Sequence, residues 1–351
     1  MRERLRADGP DAMGRETAEG PAGVAATLRG LGTGGSAARS LVDGAARLAL
    51  VGTGASLAVA ETAAPLFGGR AIVREASQAA LAGSVGASVW GGARVAVVIS
   101  MSGKSPESRA AAERASREAL PVVAVTADPA SPLAAGADAV VATPIGEETG
   151  AATKSAVAAF AALAALAGAL ATDGPSVETL ARALESTVAD LEPALACGPV
   201  VGRSVAAWAL GFGPALGLAR AEATLLHEKA RRPTVFATPS EFRHGPIEAA
   251  TSDDVVVLFD VDLDRSPARD RYLARLAEEL AALKVPLVRV GTGAAANLPL
   301  PGSVPPAERI LHAFVRAQQL ARVAAHVRGT YADEFLVLRS IVRAADDLIE
   351  G

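Results

Sequence analysis

The stretch RVAVVISMSGKSPES (94–108) decides the fold. Its first half is a run of valines and an isoleucine, apolar on both faces, as expected of a strand buried on both sides of a parallel sheet. Its second half changes character: Ser100, Ser102 and Ser105 surround Gly103 and Lys104, and Pro106 suits the first turn of a helix. A buried strand, a small polar loop and a helix start form one unit of a doubly wound α/β layer. The same alternation extends on both sides. ARLALVG (46–52), PVVAVTA (121–127) and DAVVATP (138–144) read as further strands, and SPESRAAAERASREA (105–119) as a helix between two of them.

A long apolar helix is expected across 150–171, and after it the alternation resumes. GPVVGRS (198–204), PTVFA (233–237), DVVVLFD (254–260) and PLVRVG (286–291) predict the strands of a second sheet, with a helix near 305–328. The expected organisation is therefore an N-terminal helical segment over 1–45, one α/β unit over 46–175 and a second over 176–351.

Composition limits the partners. With 34 basic and 38 acidic residues among 351, the chain has no electrostatic footprint for nucleic acid or an anionic membrane. The alanine-rich run AAFAALAALAGALA (158–171) is too short to span a bilayer, so a buried helix is the better reading. The single cysteine, Cys197, excludes an internal disulfide framework, which fits a cytoplasmic protein. The charged opening MRERLRADGPD lacks the apolar centre of a secretion signal.

Three loops follow strands, where open parallel sheets place their ligands. Gly52-Thr53-Gly54-Ala55-Ser56 could close on a phosphate or, as a GxG turn, on a dinucleotide. Leu57, however, stands where the dinucleotide fingerprint needs a third glycine. The serine loop 100–105 suits an anion at a helix N-terminus, or its serines merely cap that helix. The third loop, Glu148 to Ser155, opens into an apolar helix and could also be only a cap.

In their order these loops resemble the phosphosugar loops of the double sugar-isomerase (SIS) domain family, which includes the isomerase half of glucosamine-6-phosphate synthase and the SIS-type deaminases. The resemblance implies that Ser100, Ser102 and Ser105 grip a phosphate, with Thr53, Ser56 and Thr153 lining the pocket.

His227-Glu228 and EFRHGP (241–246), whose His244 lies sixteen residues after Glu228, extend the resemblance. A carboxylate and an imidazole suit ring opening and proton transfer between C1 and C2. Taken alone, Glu228 reads as a solvated helix residue beside Lys229, Arg231 and Arg232, and His244 as a loop histidine bonded to backbone. The family pattern implies instead that Glu228 is the general base and that His244 assists ring opening, often across the interface of a homodimer. MGRETAEGP (13–21) is similar to the family's opening segment.

Two positions depart from that pattern. Arg339 stands where the synthase has its imine-forming lysine, and Met101 where many relatives have glutamine. An arginine stays protonated and cannot form the imine, so Arg339 is expected to hold a substrate oxygen or pair with an acid. No glutamine-hydrolysing segment precedes residue 30, so a glutamine-dependent synthase is not expected. The implied ligand is a hexose or hexosamine phosphate, and no metal or redox cofactor is implied. The expected activity is that of a deaminase or aldose–ketose isomerase, including one acting on a glycated or amino-acid-linked sugar phosphate. The alternative is a sensor that binds the sugar phosphate without converting it.

Overall fold

The computed structural model describes residues 5, 11–82 and 89–337. The chain divides into two compact units. One contains Glu19–Arg182; the other contains the described residues up to Ala18 together with Ala183–Asp333.

In the first unit, five parallel strands stand in the order β2-β1-β3-β4-β5. They are β1 (Leu48–Gly52), β2 (Ala71–Glu75), β3 (Val95–Ile99), β4 (Val122–Thr126) and β5 (Ala139–Ala142). β1, β3 and β4 are buried at every residue, as their continuous apolar runs require. Three of the unit's helices matter for the site: α3 (Ala55–Ala63), α5 (Pro106–Arg117) and α7 (Lys154–Leu166). Every residue of α7 is buried, so its apolar circumference is that of a core helix. Among the described residues no helix is long and apolar enough to cross a membrane.

The second unit repeats the plan with β6 (Ala207–Gly211), β7 (Thr234–Ala237), β8 (Val255–Asp260), β9 (Leu287–Gly291) and β10 (Leu298–Pro299), all parallel, in the order β10-β9-β8-β6-β7. Counted from its own first strand and read from the other edge, this order is again 2-1-3-4-5. The turns after the two first strands also repeat. Gly54 (φ 56°, ψ −124°) precedes α3, and Gly213 (φ 54°, ψ −124°) precedes α10 (Pro214–Leu225). One side of the second sheet packs Leu210, Val256 and Leu258, with Phe242 of the helix Pro239–Arg243, against Leu273, Leu276 and Leu280 of α12 (Pro267–Ala282).

One sequence expectation is corrected. GPVVGRS (198–204) is not a strand: residues through Arg203 belong to α9 (Glu192–Arg203), and the first strand of the second sheet is AWALG (207–211). The glycines flanking the two valines serve close helix packing. A Cβ on Gly198 would lie 2.2 Å from Val323, and one on Gly202 would lie 2.7 Å from the Ala324 carbonyl oxygen. Both contacts are with α13 (Pro306–Arg328), which does form over the expected residues.

Candidate functional site

β1 and β3 are neighbours, and the strand order changes direction between them, which places the loops after both at the topological switch point of the first sheet. In the first loop the chain turns back on itself so tightly that a Cβ on Gly52 would lie 2.7 Å from the Ser56 carbonyl carbon. Thr53 is exposed, and its hydroxyl donates to Glu75 Oε1 (2.6 Å) at the end of the adjacent β2. Ser56 lies half-buried in the first turn of α3. Glu75 also accepts from the Ser77 hydroxyl and the Gln78 amide (3.0 Å), capping the helix Ala76–Leu81. Burial opposes ionisation of this carboxyl, but the hydrogen bonds from Ser77, Thr53 and Gln78 outweigh it and hold its pKa below the ordinary range. Glu75 was not singled out in the sequence; its only signal is its place at the end of an apolar run.

The second loop leaves β3 at Ser100, which is buried, and turns through Gly103 (φ 61°). Gly103 presses against the neighbouring loop: a Cβ there would lie 2.0 Å from Ser131 Oγ. Ser102 is exposed and its hydroxyl accepts from the Lys104 amide (3.2 Å). Ser105 occupies the N-cap of α5 but does not cap it. Its side chain makes no capping hydrogen bond and donates instead to Glu107 (2.8 Å). The reading of these serines as mere caps therefore fails at the one position where a cap would sit. The amide-rich start of a twelve-residue helix stands beside Ser102 and Ser105. Met101 is turned aside, its sulfur 3.5 Å from the Thr143 hydroxyl.

The third loop is organised differently. Thr153 is fully buried, and both its amide (2.9 Å) and its hydroxyl (3.0 Å) donate to Glu148 Oε1, which also accepts from the Ser155 amide (3.1 Å). Glu148 thus caps α7 from outside the helix, and a carboxylate already occupies the place an anion would take. The loop leaves the carboxyl end of β5, which runs parallel to β1 and β3, so it starts from the same edge of the sheet as the other two. The spacing of five residues between Glu148 and Thr153 carried no recognisable cap signal.

The counterpart loops of the second sheet differ in character. Phe212 and Pro214 follow Gly211, and Phe212 packs edge-on against Tyr272. β8 ends in Asp260, whose buried carboxylate is bound by Arg269 (2.6 Å) and Arg289 (2.5 Å).

Glu228 and His244 both belong to the second unit. Glu228 lies half-buried in a π turn, Leu226–Ala230, that ends α10, and Arg231 (φ 47°) then reverses the chain. Its basic neighbours are not all in solvent: Lys229 and Arg232 are buried. His227 Nε2 sits 3.0 Å from the Thr234 carbonyl at the start of β7. His244 is exposed and follows α11 (Pro239–Arg243), which opens with a capping box between Thr238 and Glu241. Arg243 fixes the far end of α11 through two 2.7 Å bonds to Glu279, beneath which lies the Tyr272 ring at 4.9 Å. Glu228 precedes β7 and His244 follows it, so one copy of the chain sets them at opposite ends of a four-residue strand, about 10 Å long. Arg339 lies outside the described residues.

Residues 42–169 match the SIS domain family. The whole first sheet, β1 to β5, lies within that match. Solved structures extend the likeness in fold to nearly the whole chain. The C-terminal domain of glucosamine-fructose-6-phosphate aminotransferase from Francisella tularensis has 19% identity and a TM-score of 0.73, with 93% of this chain and 98% of that one covered. Tagatose-6-phosphate ketose/aldose isomerase from Escherichia coli has 20% identity and a TM-score of 0.77, with 92% and 95% covered. Glucosamine-6-phosphate deaminase from Thermotoga maritima has 17% identity and a TM-score of 0.67, with 90% and 98% covered. No curated protein matches the sequence. The second sheet repeats the SIS strand order, so the fold is that of two SIS units in tandem.

Proposed function

We propose that this chain binds a hexose or hexosamine 6-phosphate and acts on it as a deaminase or an aldose–ketose isomerase. The observation that carries the reading is the uncapped start of α5. It stands directly after a buried strand at the switch point, with Ser102 and Ser105 beside its amides and Lys104 nearby. A phosphate there would gain amide and hydroxyl donors together with the positive end of a helix. Thr53 and Ser56, in the loop after the neighbouring strand, are proposed to line the same region, whereas the Thr153 hydroxyl serves Glu148.

Glu228 is proposed as the base that moves the proton between C1 and C2, and His244 as the group that assists ring opening. Their separation along β7 supports a working homodimer, in which a second copy of the chain supplies the histidine. A carboxylate base and an imidazole perform such a proton transfer without a metal or redox cofactor. A sensor that binds without turnover is the second reading. Met101 favours it, because its thioether contributes no donor to the loop.

The test is incubation with glucosamine 6-phosphate and fructose 6-phosphate in deuterated water, following ammonia and deuterium at C1 and C2. Ammonia indicates a deaminase, exchange alone an isomerase, and binding with neither the sensor. Glu228→Gln should lower kcat by roughly 10²- to 10⁴-fold with phosphosugar affinity retained. Ser102→Ala with Ser105→Ala should instead raise Kd by about tenfold or more for every phosphosugar alike, since hydrogen bonds to a charged group are lost.

A further inference from the structure

Lys229 follows Glu228 directly and is almost completely buried, at 1% exposure. Its ammonium donates to two successive main-chain carbonyls, Ala332 (2.9 Å) and Asp333 (2.8 Å), and lies 5.5 Å from the centre of the Tyr331 ring. The contact is reciprocal, because the Thr330 hydroxyl donates to the Lys229 carbonyl (3.0 Å). Residues 330–333 thus form a strap across the π turn. The strap is fixed at its other side too. Tyr331 stacks on His326 at 4.3 Å, its hydroxyl accepts from the Met13 amide (3.1 Å), and Asp333 accepts from both Tyr331 (3.0 Å) and the Ala12 amide (2.7 Å). Glu16 and Asp11, like Asp333 and Glu228, bear on the ammonium electrostatically.

A π turn contains one residue more than the α-helix it ends and is among the less stable helical forms. Something must hold it, and a buried cation is a costly way to do so unless its position is used. We infer that Lys229 is a positioning residue: it clamps the strap 330–333 onto the π turn and so fixes where Glu228 stands. The inference rests on the assignment of Glu228 as base, but the clamp itself can be tested without it.

In the full chain, Lys229→Met is expected to speed chymotryptic cleavage after Tyr331 at least tenfold and to speed amide exchange in 226–232. It should also lower kcat at least tenfold with KM changed less than twofold. A merely structural lysine would lower Tm and the folded fraction but leave kcat per folded molecule unchanged. Unchanged cleavage and exchange would overturn the clamp, and faster cleavage at full kcat would overturn the positioning role. If the wild-type chain turns over no sugar phosphate, the enzymatic reading fails separately. Exchange in 226–232 then decides alone, faster supporting the inference and unchanged overturning it. Should Lys229→Met not fold, Thr330→Ala removes the reciprocal bond and carries the same expectations at about threefold, with the same outcomes overturning them.

Discussion

At the scale of single residues, the loops of the first sheet show how a hydroxyl is committed or left available. Thr153 and Ser105 both precede helices, yet Thr153 is closed onto Glu148 while Ser105 leaves the helix start uncapped. Gly103 makes that open loop possible, since its positive φ and its closeness to Ser131 leave no room for a side chain. Gly103→Ala should therefore cost about 1–3 kcal/mol in urea unfolding, from backbone strain plus displacement of Ser131. It should also weaken phosphosugar binding at least tenfold in titration calorimetry. Retention of full affinity would show that the loop's turn is not part of the grip.

At the scale of elements, the close approach of α9 to α13 invites a paired test. Gly198→Ala drives a methyl into Val323 and should destabilise by about 1–3 kcal/mol. Gly30→Ala lies in α1 (Ala12–Gly34) with nothing within 4 Å of the added carbon, and should stabilise by about 0.5–1 kcal/mol. Urea midpoints compare the two directly. The same glycines explain what was legible beforehand. β3, β4 and β8 announce themselves as β-branched runs because both their faces are buried. β2 is only half-buried along its length, and β6 is built from alanine, tryptophan and leucine, so neither stood out. The Val-Val pair between Gly198 and Gly202 imitated a strand because the reason for those glycines, a facing helix, lies over a hundred residues away. The serine loop could be read from local order alone. The parts played by Glu75 and Glu148 could not, because each depends on which chain segment comes to face it.

At the scale of the whole molecule, stability should depend on pH through groups that do not belong to the loops. His312 is fully buried beside Thr187, with its Nδ1 2.7 Å from that hydroxyl. Burial, with Arg316 adding, lowers its pKa to about 4. A histidine whose folded pKa is depressed contributes fully above its unfolded value near 6.5. Its contribution is lost as pH falls from there to about 4, by on the order of 3 kcal/mol. Glu222 acts in the opposite sense. Its carboxyl is wholly buried and its pKa raised by desolvation, so it penalises folding increasingly as pH rises above about 4.5. The difference between wild type and His312→Asn isolates the histidine. Urea midpoints at pH 7 and pH 5 should fall less for the variant, and parallel falls would remove His312 as a contributor.

The repeated strand order also separates what the architecture requires from what a loop adds. One plan carries different loops: a serine loop follows β3, and at the corresponding place β8 ends in Asp260 held by two arginines. What the two sheets share is the Gly-x-Gly turn with nearly equal backbone angles, which the chain needs in order to pass from strand to helix whether or not anything is bound there. The turn is thus a requirement of the architecture itself, independent of the chemistry that each loop carries.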